Sequence, residues 1–284
     1  MPMKLTLEMV HMRRLNSKLV LIPALACALL LTGCTSPENS ADGGAAAQSQ
    51  LDKVIQSGTV RVAVLPDYPP WSVQTPDGGF EGYDIDIAEK LAEALGVELE
   101  LVSTDGTSRL PLLKSDRVDV NISEWTATDE RAKEAGFTIP YVAHGAGVMF
   151  NTANPIESYD DLAGKAVSVA RGSTNDSIMT KNFPDTKVER FETIADAVAA
   201  LQAGKVDALV EGYSTVAQMA EGDANYAVVD EPALFPSLVS MGTLKEDQVW
   251  INYLNNFIRN LNASGTNQEL FQKWGNADLP DIVG

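Results

Sequence analysis

From Thr59 onward the chain alternates short runs of β-branched residues with longer segments whose apolar positions recur at helical spacing. Residues 60–64 predict a strand, 85–95 a helix, 97–102 a strand, 110–113 a short helix and 118–122 a third strand. The same order returns further on, with strands over 166–169, 188–191 and 206–210 and helices over 176–182 and 194–203. The two halves share a phrase. Leu-Leu-Lys-Ser-Asp-Arg-Val-Asp-Val over 112–120 parallels Ala-Leu-Gln-Ala-Gly-Lys-Val-Asp-Ala over 200–208, predicting a helix, a tight turn and a new strand in both. Helical patterns return over 249–261 and 268–274, broken at Ser264-Gly265.

Strands that alternate with helices imply mostly parallel sheets covered on both faces, so the expected fold is α/β with two βαβαβ lobes. Two such lobes leave a crevice at the carboxyl ends of their strands, where open α/β sheets bind ligands. The expected division is lobe 1 over 51–149, lobe 2 over 150–238 and a return to lobe 1 over 239–284. Pro, Asn and Gly interrupt the periodicity over 151–161 and 231–242, which are the expected crossings between lobes.

The amino-terminal segment has a different pattern. Arg13, Arg14 and Lys18 precede an uncharged stretch over 19–31, too short to span a bilayer comfortably, which reads as a signal peptide over 1–33. Its end, Leu31-Thr32-Gly33-Cys34, resembles the lipobox of bacterial lipoproteins and marks Cys34 for lipidation. The alternative is a simple signal peptide with a chance cysteine. Residues 34–50 are rich in Ser, Ala, Gly and Asn and read as a flexible tether. Cys27 leaves with the leader, so no disulfide is expected in the body. The formal charge of −18 argues against nucleic acid, whose phosphates require clustered Lys and Arg. Metal and cofactor are not expected either: His144 has no second His or Cys at ligand spacing.

Four ordered phrases carry a resemblance: Asp67-Tyr68-Pro69-Pro70-Trp71, Phe80-Glu81-Gly82-Tyr83-Asp84-Ile85-Asp86, Thr126-Ala127-Thr128-Asp129-Glu130-Arg131 and Arg171-Gly172-Ser173-Thr174. The chain resembles family 3 of the bacterial solute-binding proteins, the amino-acid receptors of ABC importers. The resemblance implies a two-lobed, type II periplasmic-binding-protein-like clamshell with a two-strand hinge. It implies a monomeric receptor for an amino-acid-like solute, anchored by lipid outside the cytoplasm and serving an ABC permease.

It also implies roles. Arg131 clamps a ligand carboxylate with its planar fork, assisted by Thr126, and Ser123 meets the ligand ammonium. Gly172, Ser173 and Thr174 open a helix whose amides can meet an anion, although Ser173 or Thr174 can equally serve as an ordinary N-cap. Asn175 reaches the ligand from the same helix. Tyr68 and Trp71 cover its aliphatic part, unless they are core or loop anchors. Arg109 matches an arginine that holds a side-chain carboxylate in receptors for acidic amino acids, or is an exposed arginine at a helix start.

One departure concerns the ammonium. Family members that bind α-amino acids carry an aspartate where this chain has Gly212, and strand alternation is expected to turn the neighbouring Glu211 to the opposite face. Glu124 is the candidate replacement; the alternative is a ligand without an ordinary ammonium, such as a betaine. A secreted clamshell enzyme of the prephenate or arogenate dehydratase type is the rival function, and a sensor ectodomain a further one.

Overall fold

The computed structural model describes residues 48–275 and Leu279. The signal peptide, Cys34 and most of the tether lie outside the described residues. The described body opens with α1 (Gln50–Ser57) and β1 (Thr59–Val64), then β2 (Asp67–Tyr68), β3 (Ser72–Gln74) and β4 (Phe80–Glu81). There follow α2 (Tyr83–Leu95), β5 (Glu98–Ser103), α3 (Arg109–Lys114), β6 (Val120–Asn121), α4 (Asp129–Ala132) and β7 (Gly136–Asn151). The second half contains β8 (Ala166–Ala170), α5 (Thr174–Asn182), β9 (Lys187–Phe191), α6 (Ile194–Gln202), β10 (Ala208–Gly212), α7 (Tyr213–Gly222) and β11 (Tyr226–Val228). The chain returns along β12 (Leu234–Thr243) and ends in α8 (Gln248–Ala263) and α9 (Thr266–Gly275).

The main sheet runs β5-β1-β6-β12-β7-β10-β8-β9, with β11 on β7. Pairing is parallel within β5-β1-β6 and within β10-β8-β9, and antiparallel where β12 and β7 join those two halves. Each half has its own core. Val60, Val62, Ile87, Leu91, Trp250 and Leu254 pack in the first; Val148, Val167, Val169 and Val210 pack on one face of the second, Ala197, Leu201 and Leu209 on the other.

The expected crossing over 151–161 is corrected by the long strand β7. Its early residues pair with β12, from Gly136↔Thr243 to Ala146↔Leu234, and its later ones with β10, from Ala146↔Gly212 to Phe150↔Ala208. The chain therefore changes lobes inside β7, around Ala146, before Asn151 is reached. The strand stays unbroken and belongs to both halves at once, and glycines flank the change: a Cβ at Gly145 would lie 2.7 Å from Ala233 and one at Gly147 2.7 Å from Val216. The crossing expected over 231–242 coincides with β12.

The body also begins earlier than Leu51. Ser49 caps α1, its hydroxyl donates to Asp247 Oδ1 at 2.8 Å, and the Gln50 amide donates to Asp247 Oδ2 at 2.5 Å. The first turn of α1 is thus tied to the start of α8.

The repeated phrase has a physical reason. Asp119 Oδ2 accepts the Arg61 amide at 2.6 Å while the Asp119 amide donates to Arg61 O at 2.8 Å. In the second half Asp207 Oδ2 accepts the Ala166 amide at 2.7 Å and the Asp207 amide donates to Ala166 O at 2.7 Å. In each lobe one aspartate thus holds the third strand to the first by a reciprocal pair of bonds. Loss of such a carboxylate leaves an amide without its acceptor, at a cost of about 1–3 kcal/mol. Asp207→Ala is expected to lower the denaturant midpoint accordingly, and Asp207→Asn, whose amide oxygen can still accept, to lower it less. Equal losses for the two variants in urea unfolding would contradict this role.

Candidate functional site

The loop after β1 and the start of α2 form one unit. Tyr83 and Asp84 donate their backbone amides to Pro70 O and Trp71 O, at 3.0 and 2.8 Å. Gly82 sits at φ 138°, and a Cβ there would strike Trp71 O. Only glycine lets these two motifs meet so closely. Trp71 is 1 % exposed and packs edge-on against Tyr83 and His144, with ring centroids 5.6 and 5.4 Å apart. It therefore stands behind the cleft as core, which corrects the expectation that it covers the ligand.

Asp84, at the first turn of α2, is fully buried and accepts from the Tyr141 hydroxyl and from the Glu124 amide, both at 2.8 Å. Burial pushes its carboxyl up to about 7 against the pull of the Tyr141 hydroxyl. Its bond fixes the loop after β6, where Glu124 adopts φ 49°, a left-handed conformation rare for a residue with a side chain.

Between the carboxyl ends of the two parallel halves lies a cleft with about 570 Å³ of empty space, its open mouth included. From the first half it is bordered by Tyr68, Arg109, Glu124 and Arg131, and from the second by Ser173, Thr174, Asn175 and Glu211. Ser123, Thr126 and Gly172 do not border it. Ser123 accepts from Arg109 through its hydroxyl at 3.1 Å and its carbonyl at 2.8 Å, so it holds the arginine, in place of the expected contact with an ammonium. Arg109 is 5 % exposed, which corrects its reading as an exposed helix-start residue. Burial lowers its pKa while Glu124, Tyr68 and Asp84 support its charge.

Arg131 spans the cleft. Its Nη1 donates to Thr126 O at 2.9 Å within the first half and its Nη2 to Gly172 O at 3.0 Å in the second. Burial brings its guanidinium down to about 10, neighbouring Arg109 adds to this, and Glu124 opposes it. Thr126 contributes its carbonyl, while its hydroxyl is buried without a partner. Ser173 is the N-cap of α5, accepting the Asp176 amide at 3.1 Å, and borders the cleft as well.

The largest correction concerns Glu211. β10 stops at Gly212 and turns at once into α7, and it is Glu211 that borders the cleft. Glu211 is 1 % exposed; its Oε2 accepts from Asn175 Nδ2 at 2.9 Å and from the Tyr68 hydroxyl at 3.2 Å. The Gly212 amide in turn donates to the Tyr68 hydroxyl at 3.2 Å. Burial pushes Glu211 up to about 7, Glu124 adds to this, and the Tyr68 bond opposes it. Gly212 has no room for a side chain: a Cβ would lie 2.7 Å from Tyr68 Oη and 2.9 Å from His144 Nδ1.

His144 was unassigned in the sequence, yet on β7 its Nε2 pairs with Glu124 Oε1, with the two side chains 8 % and 9 % exposed. Burial lowers its pKa, but Glu124, Glu211 and Asp84 overcome this and raise it. Glu124 is thus already engaged by His144. As the sole histidine after the leader in an acidic chain, His144 offered a faint signal; Asp84 lay inside a quoted motif with no role attached. Among the described residues no cluster of His, Cys, Asp and Glu is arranged to hold a metal ion, and no helix is long and apolar enough to cross a membrane.

This arrangement of lobes and cleft matches known proteins over most of the chain. The family model for bacterial extracellular solute-binding proteins, family 3, matches residues 60–277. The glutamine-binding protein of Geobacillus stearothermophilus is 34 % identical over 246 residues, 82 % of this chain and 94 % of that protein. The L-cystine-binding protein TcyJ of Escherichia coli strain K12 is 29 % identical over 231 residues, 81 % of this chain and 87 % of that one. Cyclohexadienyl dehydratase of Pseudomonas aeruginosa is 26 % identical over 262 residues, covering 89 % and 93 %. Among solved structures, the ancestral amino acid-binding protein AncCDT-1, a precursor of cyclohexadienyl dehydratase, aligns with a TM-score of 0.74 at 31 % identity, over 80 % of this chain and 99 % of that one. With a family model matching well over half its length, the chain belongs to family 3 of the bacterial extracellular solute-binding proteins.

Proposed function

We propose that the protein is a receptor that captures a polar amino acid or a related small carboxylate by closing two lobes about β7 and β12, and delivers it to an ABC permease. Arg131 carries this reading. Its hydrogen bonds go to carbonyl oxygens of both lobes, so a half-buried guanidinium faces the cleft and, among the described residues, no carboxylate is bonded to it. A solute carboxylate supplies that counter-charge through paired N–H bonds, and contacts with the second lobe then favour the closed state. The relatives named for glutamine and cystine support an amino-acid ligand. In this reading residues 1–33 are a signal peptide, Cys34 carries the lipid, and the segment that follows tethers a monomeric body outside the cytoplasm.

A catalytic reading has one specific observation in its favour: Glu211 is a cleft carboxyl held near 7, where a general acid works well, and a dehydratase is among the relatives. The receptor reading is preferred because the matching family model is one of solute-binding proteins and relatives such as the glutamine- and L-cystine-binding proteins carry that role in their names.

A melting-temperature screen against the protein amino acids and their amides is expected to find a binder, since a ligand at about a hundredfold excess over its Kd adds about 2.7 kcal/mol. Arg131→Ala is expected to weaken that binder about a hundredfold, roughly 3 kcal/mol, with Arg131→Lys restoring it only in part. Turnover of prephenate by the wild-type protein, followed by chromatography, would overturn the receptor reading. For the anchor, Cys34→Ala is expected to shift the protein from the membrane fraction to the soluble one; an unchanged distribution would dismiss lipidation at that residue.

A further inference from the structure

Two further contacts join the lobes through protein atoms alone. The first is made by Asp67 on β2. The first-turn amides of a helix have no partner within that helix, so they must find acceptors elsewhere. In α6 the Thr193 hydroxyl takes the Asp196 amide at 3.0 Å, and Asp67 Oδ2 takes the Ala195 amide at 2.9 Å. The helix is thus capped from both lobes, and a carboxylate suits the positive end of its dipole. Beside this bond Ile194, 6 % exposed, belongs to the apolar cluster of the first lobe, as does Ala170 at the end of β8.

The second contact brings the loop after β5 against the loop after β8. A Cβ at Gly106 would lie 2.7 Å from Arg171 O, and the next nearest atoms, at 3.9 Å, belong to Arg171 and Gly172. Across the same seam a Cβ at Gly172 would lie 3.3 Å from Thr107 Cγ2. Gly106 does not take a left-handed φ, so its backbone would accept a side chain without strain. Only the opposite lobe forbids one.

We propose that Asp67 and Gly106 are positioning residues for capture, setting how long the closed lobes hold a solute through contact between the lobes and not through a bond to the solute. This rests on the receptor reading and adds to it. Each contact joins residues of different lobes, so each is lost whenever the lobes part. The bond from Asp67 to α6 therefore holds back opening, and with it release, while entry into the open cleft does not depend on it. Glycine at 106 lets the two backbones approach fully; a methyl there keeps them apart. Asp67 and Gly106 border the cleft, whereas Ala195 does not, so the two ends of the first contact can be tested separately.

Stopped-flow tryptophan fluorescence with the protein amino acids and L-cystine measures entry and release separately. For an amino acid that binds, Asp67→Ala should raise koff about fivefold and leave kon within about twofold, and Asp67→Asn, whose amide oxygen can still accept, should raise koff less. Gly106→Ala should raise koff at least about fivefold, and should fold as the wild type does because its methyl meets only the other lobe. Ala195→Pro removes the amide that Asp67 uses, at a first-turn position where proline is tolerated. If Asp67 acts through that amide, adding Asp67→Ala to Ala195→Pro raises koff no further. Additive effects would place Asp67 on the solute and overturn the inference. An unchanged koff in either Asp67→Ala or Gly106→Ala, with binding lost in Arg131→Ala, would overturn it and leave the receptor reading standing. Failure of every amino acid to bind would remove the receptor reading and the inference together.

Discussion

The site depends on one contact across the cleft. The Tyr68 hydroxyl, from the first lobe, accepts the Gly212 amide and donates to Glu211 in the second, and it reaches them only because residue 212 has no side chain. Any larger residue would occupy the space of Tyr68 Oη and the His144 ring. Glycine at this position is therefore a steric condition of this cleft, and the second lobe's carboxylate there is that of Glu211. Arg131 makes the other polar crossing, onto Gly172 O. Asp67 adds a third by accepting the Ala195 amide at the start of α6.

Behind these contacts lies a compact set of buried ionisable groups. Asp84, His144 and Glu211 each feel Glu124, and so do Arg109 and Arg131, the latter also feeling Arg109. Burying so many charges is unfavourable unless nearly every one is paired. Most are: Asp84 by Tyr141 and the Glu124 amide, Glu124 by His144, Arg109 by Ser123. Glu211 and Arg131 both border the cleft: one oxygen of Glu211 has no hydrogen-bond partner among the described residues, and the Arg131 fork is bonded to carbonyl oxygens of both halves.

The alternation of β-branched runs and helical spacing was enough to read two α/β lobes, because each lobe buries its own sheet and the periods are not disturbed by contacts between them. The repeated Lys-Val-Asp and Arg-Val-Asp turns were legible as a repeat, though the reason, an aspartate clasping strand to strand, requires the register of β1 with β6 and β8 with β10. Less of the site could be read. Arg131 and Asn175 stand in motifs, and the structure places both at the cleft. Glu211 and His144 were hidden for a geometric reason. Strand alternation assigns faces only while a strand continues, and β10 ends where the assignment mattered; His144 meets Glu124 from the strand that joins the lobes, a contact between segments distant in sequence. Trp71 shows the converse, an aromatic in a binding motif whose ring serves the core beneath.

The central claim, a solute carboxylate held on Arg131 between the two lobes, is tested most directly by a crystal structure with the tightest-binding amino acid. The account predicts a ligand carboxylate oxygen about 2.7–3.2 Å from the Arg131 guanidinium, with the ligand touching residues of both lobes. A ligand bound in the cleft with its carboxylate away from Arg131, or bound outside the cleft altogether, would contradict it.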